Sequence, residues 1–258
     1  MKNKRLAICL SIFAFLVILI VLSSTIFALN QVSLSFLSPT DRLNGKGEDI
    51  VKSVDFKFGQ NVLFANKKGY ISQLEKNNPY LKVINIETIF PNKFVINAVE
   101  RQELFAIKLA NNSYAIVDGD FKVLDIVENY INSASNAIVL TNIKDLPTSV
   151  EIADFLQFDK KQMNVLSSTI NSLYEWQENS VLKQKIESVE VDYERLNQVS
   201  VKMRSGVQIV VKDANEYNSD KFNLAFSAYE SNTKYQNSGI LEVRLVNGNE
   251  LRIFYSGE

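Results

Sequence analysis

The sequence predicts an α+β protein: one N-terminal membrane helix, then a βααββ unit, then a mixed α/β domain with an antiparallel sheet. Three observations carry this. The chain opens on an uncharged apolar run of 24 residues, β-branched and aromatic runs bounded by Asn, Gly and Pro recur behind it, and amphipathic helical stretches interrupt those runs. Composition narrows function before any motif is read. With 28 basic residues against 29 acidic ones and no Lys/Arg-rich block, nothing drives binding to phosphate backbones, so nucleic acid is not an expected partner. Histidine is absent, which removes Ser-His-Asp and Cys-His triads, His-ligated zinc and the usual general base near neutral pH. The one cysteine, Cys9, lies in the apolar run, leaving no intrachain disulfide and no thiolate cluster. No catalysis, metal, cofactor or small-molecule substrate is expected.

The membrane span runs from Leu6 to Leu29. Its only polar side chains are Ser11, Ser23, Ser24 and Thr25, and sixteen of its residues are Leu, Ile, Val or Phe. About 20 such residues cross a bilayer. Lys2, Lys4 and Arg5 precede it with no acidic residue, so the positive-inside rule places residues 1–5 in the cytoplasm and the rest outside the cell membrane. The apolar core exceeds that of a cleaved signal peptide and lacks a small-x-small cleavage pair, so the span reads as a retained anchor bounded by Leu6 and Leu29. Ile8 stands where a lipoprotein signal needs a small residue before Cys9.

Beyond the anchor, Val32 to Leu37 is a β-like run, and Pro39, Asp41, Asn44, Gly45 and Gly47 punctuate the chain after it. Gly47 to Val54 is helical in pattern. Asn66 caps a second helix carrying Tyr70, Ile71 and Leu74, which Asn78-Pro79 ends. Val83 to Phe90 and Phe94 to Glu100 are strands about a Pro91-Asn92 turn, completing βααββ. Leu104 to Ala110, Tyr114 to Asp118 and Phe121 to Ile126 then form an antiparallel meander. Thr148-Ser-Val-Glu151 has the form of a capping box, which places a helical section over 148–178 with Met163, Leu166, Ile170 and Leu173 as its apolar stripe. Tyr174 and Trp176 are expected to pack at its end. Strands follow at Ser188 to Asp192, Val199 to Met203 and Val207 to Lys212, then a helix capped at Asn218, then a hairpin of Ile240 to Val246 and Glu250 to Tyr255 about Asn247-Gly248.

The stretch from Phe90-Pro-Asn-Lys-Phe to Val99-Glu-Arg-Gln102, with Tyr114-Ala-Ile-Val-Asp118 and Gly119 behind it, resembles the FtsQ/DivIB family of bacterial cell-division proteins. So do Phe58-Gly-Gln-Asn-Val-Leu63, Gly206-Val-Gln-Ile-Val210, Lys221-Phe-Asn-Leu224 and Leu241-Glu-Val-Arg-Leu245. The chain departs from the family at Ser38-Pro39, where a longer polar loop replaces an early Gly, and Glu242 stands where Asp is common. The resemblance implies a POTRA domain over 30–118 with its linker and a second, β-type domain over 119–258. It also implies a non-enzymatic divisome scaffold at the division septum that binds the small coiled-coil partners FtsB/DivIC and FtsL through its last β-strands. The partner-binding candidates are therefore Arg244, Leu245, Asn247, Leu251, Ile253, Phe254 and Tyr255, although strand alternation turns half of such residues inward. Glu100 and Arg101 are candidates for the domain junction, against the plainer expectation of a solvated ion pair at a strand end. Asp118, Asp120 and Asp125 are expected in turns and strand edges rather than as a catalytic pair. The competing class is a membrane-anchored envelope enzyme or ligand receptor carrying a POTRA-like module.

Overall fold

The computed structural model describes residues 10, 12–15, 17, 25–130, 136–144, 146, 150–193, 197–214, 216, 218–247 and 250–257. Most of the expected anchor, Leu6 and Cys9 included, lies outside these residues, as do Thr148 and Ser149 of the expected capping box. Among the described residues no helix is long and apolar enough to cross a membrane. The anchor therefore rests on the sequence. The chain forms two units, residues 1–101 and 102–258.

The first unit runs β1 (Gln31–Phe36), α1 (Gly47–Lys52), α2 (Lys67–Asn77), β2 (Leu81–Ile89) and β3 (Lys93–Glu100), the expected βααββ order. Its sheet is β1-β3-β2, with β1 parallel and β2 antiparallel to the central β3. The two-residue period of β3 turns Phe94, Ile96, Ala98 and Glu100 into the core, against Ile50 of α1 and Tyr70 and Leu74 of α2. Asn66 caps α2 as expected, accepting the Gly69 N–H at 3.0 Å. Leu29 corrects the end of the expected anchor: it is 1% exposed inside this core, exchanging backbone hydrogen bonds with Gln60 and Gly59. A group so paired belongs to the folded unit, not to lipid.

Glu100 and Arg101 are not the solvated ion pair of the plainer expectation. Both are buried and each is engaged inside the first unit. Glu100 Oε2 accepts the Asp41 and Leu43 N–H groups, both at 3.0 Å, pinning the polar loop after β1. Arg101 donates to the Leu81 carbonyl and lies 3.3 Å from Glu75 Oε2, while Glu75 Oε1 accepts the Val83 N–H.

The second unit is built on nine strands: β4 (Phe105–Lys108), β5 (Tyr114–Val117), β6 (Val123–Val127), β7 (Ile138–Thr141), β8 (Ile186–Asp192), β9 (Gln198–Met203), β10 (Val207–Val211), β11 (Gly239–Val246) and β12 (Glu250–Ser256). They form one sheet in the order β12-β11-β10-β9-β8-β7-β4-β5-β6. The expected domain boundary at Asp118 is corrected to Arg101, because β4 and β5 pair with each other and β4 with β7, and Phe105, Ile107 and Val117 lie in the core of the second unit. The sheet is mixed rather than antiparallel throughout: β4, β7 and β8 run parallel in succession, as do β10 and β11.

One face of this sheet is covered by α3 (Lys160–Trp176) and α5 (Asn218–Ser231), with the short α4 (Asn179–Lys185) before β8. The expected helical section is shorter than 148–178. Glu151 is not helical, and α3 starts behind Asp159, whose carboxylate accepts the Gln162 N–H at 2.8 Å. Its buried stripe includes the expected Leu166, Ile170 and Leu173, with Val165 beside them and Met163 only partly buried. Trp176 stacks face to face on Phe226 of α5, with ring centroids 4.0 Å apart.

Candidate functional site

The C-terminal hairpin closes one side of the large sheet. Its strands pair over seven successive positions, Ile240 with Ser256 through Val246 with Glu250, without a bulge. Asn247, at φ 54°, supplies the left-handed turn position that its short polar side chain tolerates. Gly239 opens β11 at φ 101°, and a Cβ there would come within 2.7 Å of the Ser256 carbonyl oxygen, so only glycine lets the end of β12 close against it.

The register sorts the seven candidates. Leu241, Val243 and Leu245 share the helix-covered face with their partners Tyr255, Ile253 and Leu251. Leu245, Leu251, Ile253 and Tyr255 are therefore half-buried supports. Tyr255 is the most constrained, since its hydroxyl donates to the Lys234 and Ser238 carbonyls and its ring packs 4.8 Å from that of Tyr235. Arg244 and Phe254 lie on the opposite, open face, where the guanidinium stands 4.2 Å over the ring. Asn247 is at the turn. Reading the sequence alone missed Ile240 and Glu242, which share the open face: Ile240 is 41% exposed, and Glu242 lies between Lys212 at 3.7 Å and Arg244 at 3.5 Å. The two-residue period from Arg244 could have found them.

Behind the hairpin, α5 is fixed at both ends. Lys221, with no exposed surface, donates to the Lys212 and Asp213 carbonyls at 2.8 Å, tying the helix to the end of β10. Burial holds its pKa below the usual lysine value, against the opposing pull of Asp213 and Glu216. Near the other end, Glu230 Oε1 accepts from Trp176, Lys185 and Gln177. Partial burial alone would raise the Glu230 pKa, but these donors hold it below the ordinary glutamate value.

The backbone edge is the feature these parts support. Among the described residues β12 pairs with β11 on one side and with nothing on the other. Residues 153–156 run along the opposite edge strand, β6: Val123 donates to the Asp154 carbonyl, Ala153 donates to the Val123 carbonyl, and Leu156 donates to the Phe121 carbonyl. The aspartates nearby have the structural roles expected of them. Asp118 Oδ1 accepts the Asp120 and Lys122 N–H groups, and Asp125 Oδ1 accepts that of Ile126. Among the described residues no cluster of three or more acidic or cysteine side chains is placed to hold a metal ion.

Residues 44–101 match a family model described as a POTRA domain of the FtsQ type, which covers α1 through β3. Over 187 residues the chain is 27% identical to the cell division protein DivIB of Clostridium tetani, an alignment covering 72% of this chain and 66% of that protein. It is 33% identical over 116 residues to DivIB of Clostridium botulinum strain Hall, covering 45% of this chain and 44% of the relative. The chain is similar to the FtsQ/DivIB family in its FtsQ-type POTRA region and, over part of its length, to DivIB proteins. DivIB of Clostridium acetobutylicum is 31% identical over 98 residues, or 38% of each chain. The matched regions thus span less than two thirds of these relatives' own lengths. The FtsQ/DivIB resemblance of the POTRA-like region is thereby borne out.

Proposed function

We propose that this chain is a non-catalytic scaffold of bacterial cell division, anchored in the cell membrane by the apolar run that starts at Leu6 and ends before Leu29, and acting at the septum. The division role is supported by the relatives, each of them a cell division protein. Its partners in this reading are the coiled-coil proteins FtsB/DivIC and FtsL, bound by the C-terminal hairpin. The observation that carries the reading is the regular seven-residue edge of β12, uncovered among the described residues. Such an edge offers a row of unspent backbone donors and acceptors, and an added strand uses them while side chains on the two faces supply selectivity. On the open face Ile240 and Phe254 are exposed apolar side chains, Arg244 stacks over the Phe254 ring, and Glu242 pairs with Arg244.

A fluorescent fusion of the full chain tests the cellular role: a band at midcell is expected, and uniform peripheral fluorescence through the division cycle would contradict it. Binding of residues 25–258 to the coiled-coil segment of DivIC tests the partner. Binding that survives deletion of Arg252 to Glu258, in a variant that stays folded, would remove the site from this hairpin.

A further inference from the structure

We propose that one end of the first unit is seated in the interfacial layer of the lipid bilayer, with Phe58, Leu63, Phe64 and Phe90 in contact with acyl chains. These four are exposed by 61%, 51%, 86% and 63%, an unusual density of bare apolar side chains for so small a fold. They come from separate loops that the backbone draws to one place. Val62 donates to the Phe27 carbonyl at 2.9 Å, Leu29 donates to the Gln60 carbonyl and Gly59 to the Leu29 carbonyl, both at 2.8 Å. From the other side, Asn30 donates to the Asn92 carbonyl at 3.0 Å, and the rings of Phe27 and Phe90 meet edge to face at 6.1 Å. Loops 58–64 and 90–92 are thus both tied to residues 27–30, the point at which the uncharged apolar run of the sequence ends.

That attachment identifies the occupant. The inference rests on the apolar run that starts at Leu6 and ends before Leu29 being a membrane anchor. If it is, residues 27–30 lie at the bilayer surface and whatever is bound to them lies there too. Charge agrees: the charged residues of segments 57–69 and 88–93 are Lys57, Lys67, Lys68 and Lys93, all basic. Lys67 and Lys68 line a cleft of about 430 Å³ beside Leu63, and the Lys67 ammonium donates to Thr88 Oγ1 at 2.6 Å. Aromatic side chains rimmed by lysines match a layer in which acyl chains lie beneath anionic headgroups.

The test uses the full chain reconstituted into phosphatidylcholine–phosphatidylglycerol vesicles, with Phe64→Trp as reporter and the wild-type chain, whose one tryptophan is Trp176, as baseline. Replacing these lipids with acyl-brominated ones should quench the added emission of F64W about twofold or more and leave the wild-type emission unchanged; Phe58→Trp is a second reporter that should behave as F64W does. A chain that stays in the vesicles through an alkaline carbonate wash but shows no added quenching at either position overturns the proposal, whether a second copy or another protein covers the patch instead. Release by the wash overturns the anchor itself and the proposal with it.

Discussion

At β6 the outermost strand of the large sheet is overlaid by residues 153–156, bulged at Leu124 and locally capped by Asp125, whereas β12 at the far side is straight, regular and uncovered among the described residues. Both are ends of the same sheet, and both would template aggregation if left bare. The difference teaches where the fold has finished its own work. The β6 edge is closed by the chain's own backbone where the strand begins, at Val123, while β12 among the described residues carries the exposed charges Glu250 and Arg252, which pair with each other at 2.8 Å. A charged edge resists chance pairing and still accepts a partner of matching chemistry.

The largest expected effect breaks the closed side. Leu156 is the buried side chain of the segment that runs along β6, so Leu156→Ala should cost about 3 kcal/mol of unfolding free energy in urea titration, from lost packing and a residual cavity. A cost below about 1 kcal/mol would mean that the cover is loosely attached and the two edges are alike.

Proline scanning sharpens the open side. Successive N–H groups of an antiparallel edge strand point alternately toward and away from its neighbour. Of Arg252→Pro and Ile253→Pro, one should therefore weaken DivIC binding about tenfold or more with little change in unfolding midpoint, and the other should lower the midpoint by breaking the β11–β12 ladder. If both variants stay folded and bind as wild type, the edge is not the site.

A pH titration examines the helix that backs the hairpin. The Glu230 pKa is depressed in the folded state, so its contribution is present above the ordinary glutamate pKa and is lost as pH falls through the lower folded value. The wild type should lose stability over that acidic window relative to Glu230→Gln, as read from thermal midpoints; parallel profiles would show that the three donors to Glu230 do not bias its ionisation. Smallest in stability is Phe254→Ala on the open face. Removing a half-exposed ring and its Arg244 contact should cost less than about 1 kcal/mol of folding while measurably weakening partner binding.

The βααββ unit and the terminal hairpin were legible because their signals are local: alternation in β3 and β11, Asn66 before a helix, Asn247 at the turn between β11 and β12. β7 was not. It is four residues long at the middle of the sheet, and its neighbours β4 and β8 are both parallel, so no tight turn marks it and no polar alternation shows it. Residues 150–159 were expected to be helical because Thr148 to Glu151 imitates a cap, and the true cap, Asp159 with Gln162, has the same spacing. Glu100 and Arg101 are adjacent in sequence, but their partners lie 57–59 and 26 residues away, at the loop amides of Asp41 and Leu43 and at Glu75. Of the candidate site, the hairpin was legible. Which of its residues face outward became visible only with the register, and that the strand is an outer one only with the sheet order.

Residue-resolved amide hydrogen exchange of residues 25–258, with and without the DivIC coiled-coil segment, addresses the asymmetry most directly. An added strand should slow exchange at alternate amides of Glu250 to Ser256 and leave β6 unchanged. Unchanged exchange along β12 in the saturated complex, or new protection along β6 or in the first unit alone, would contradict the assignment of β12 as the binding edge.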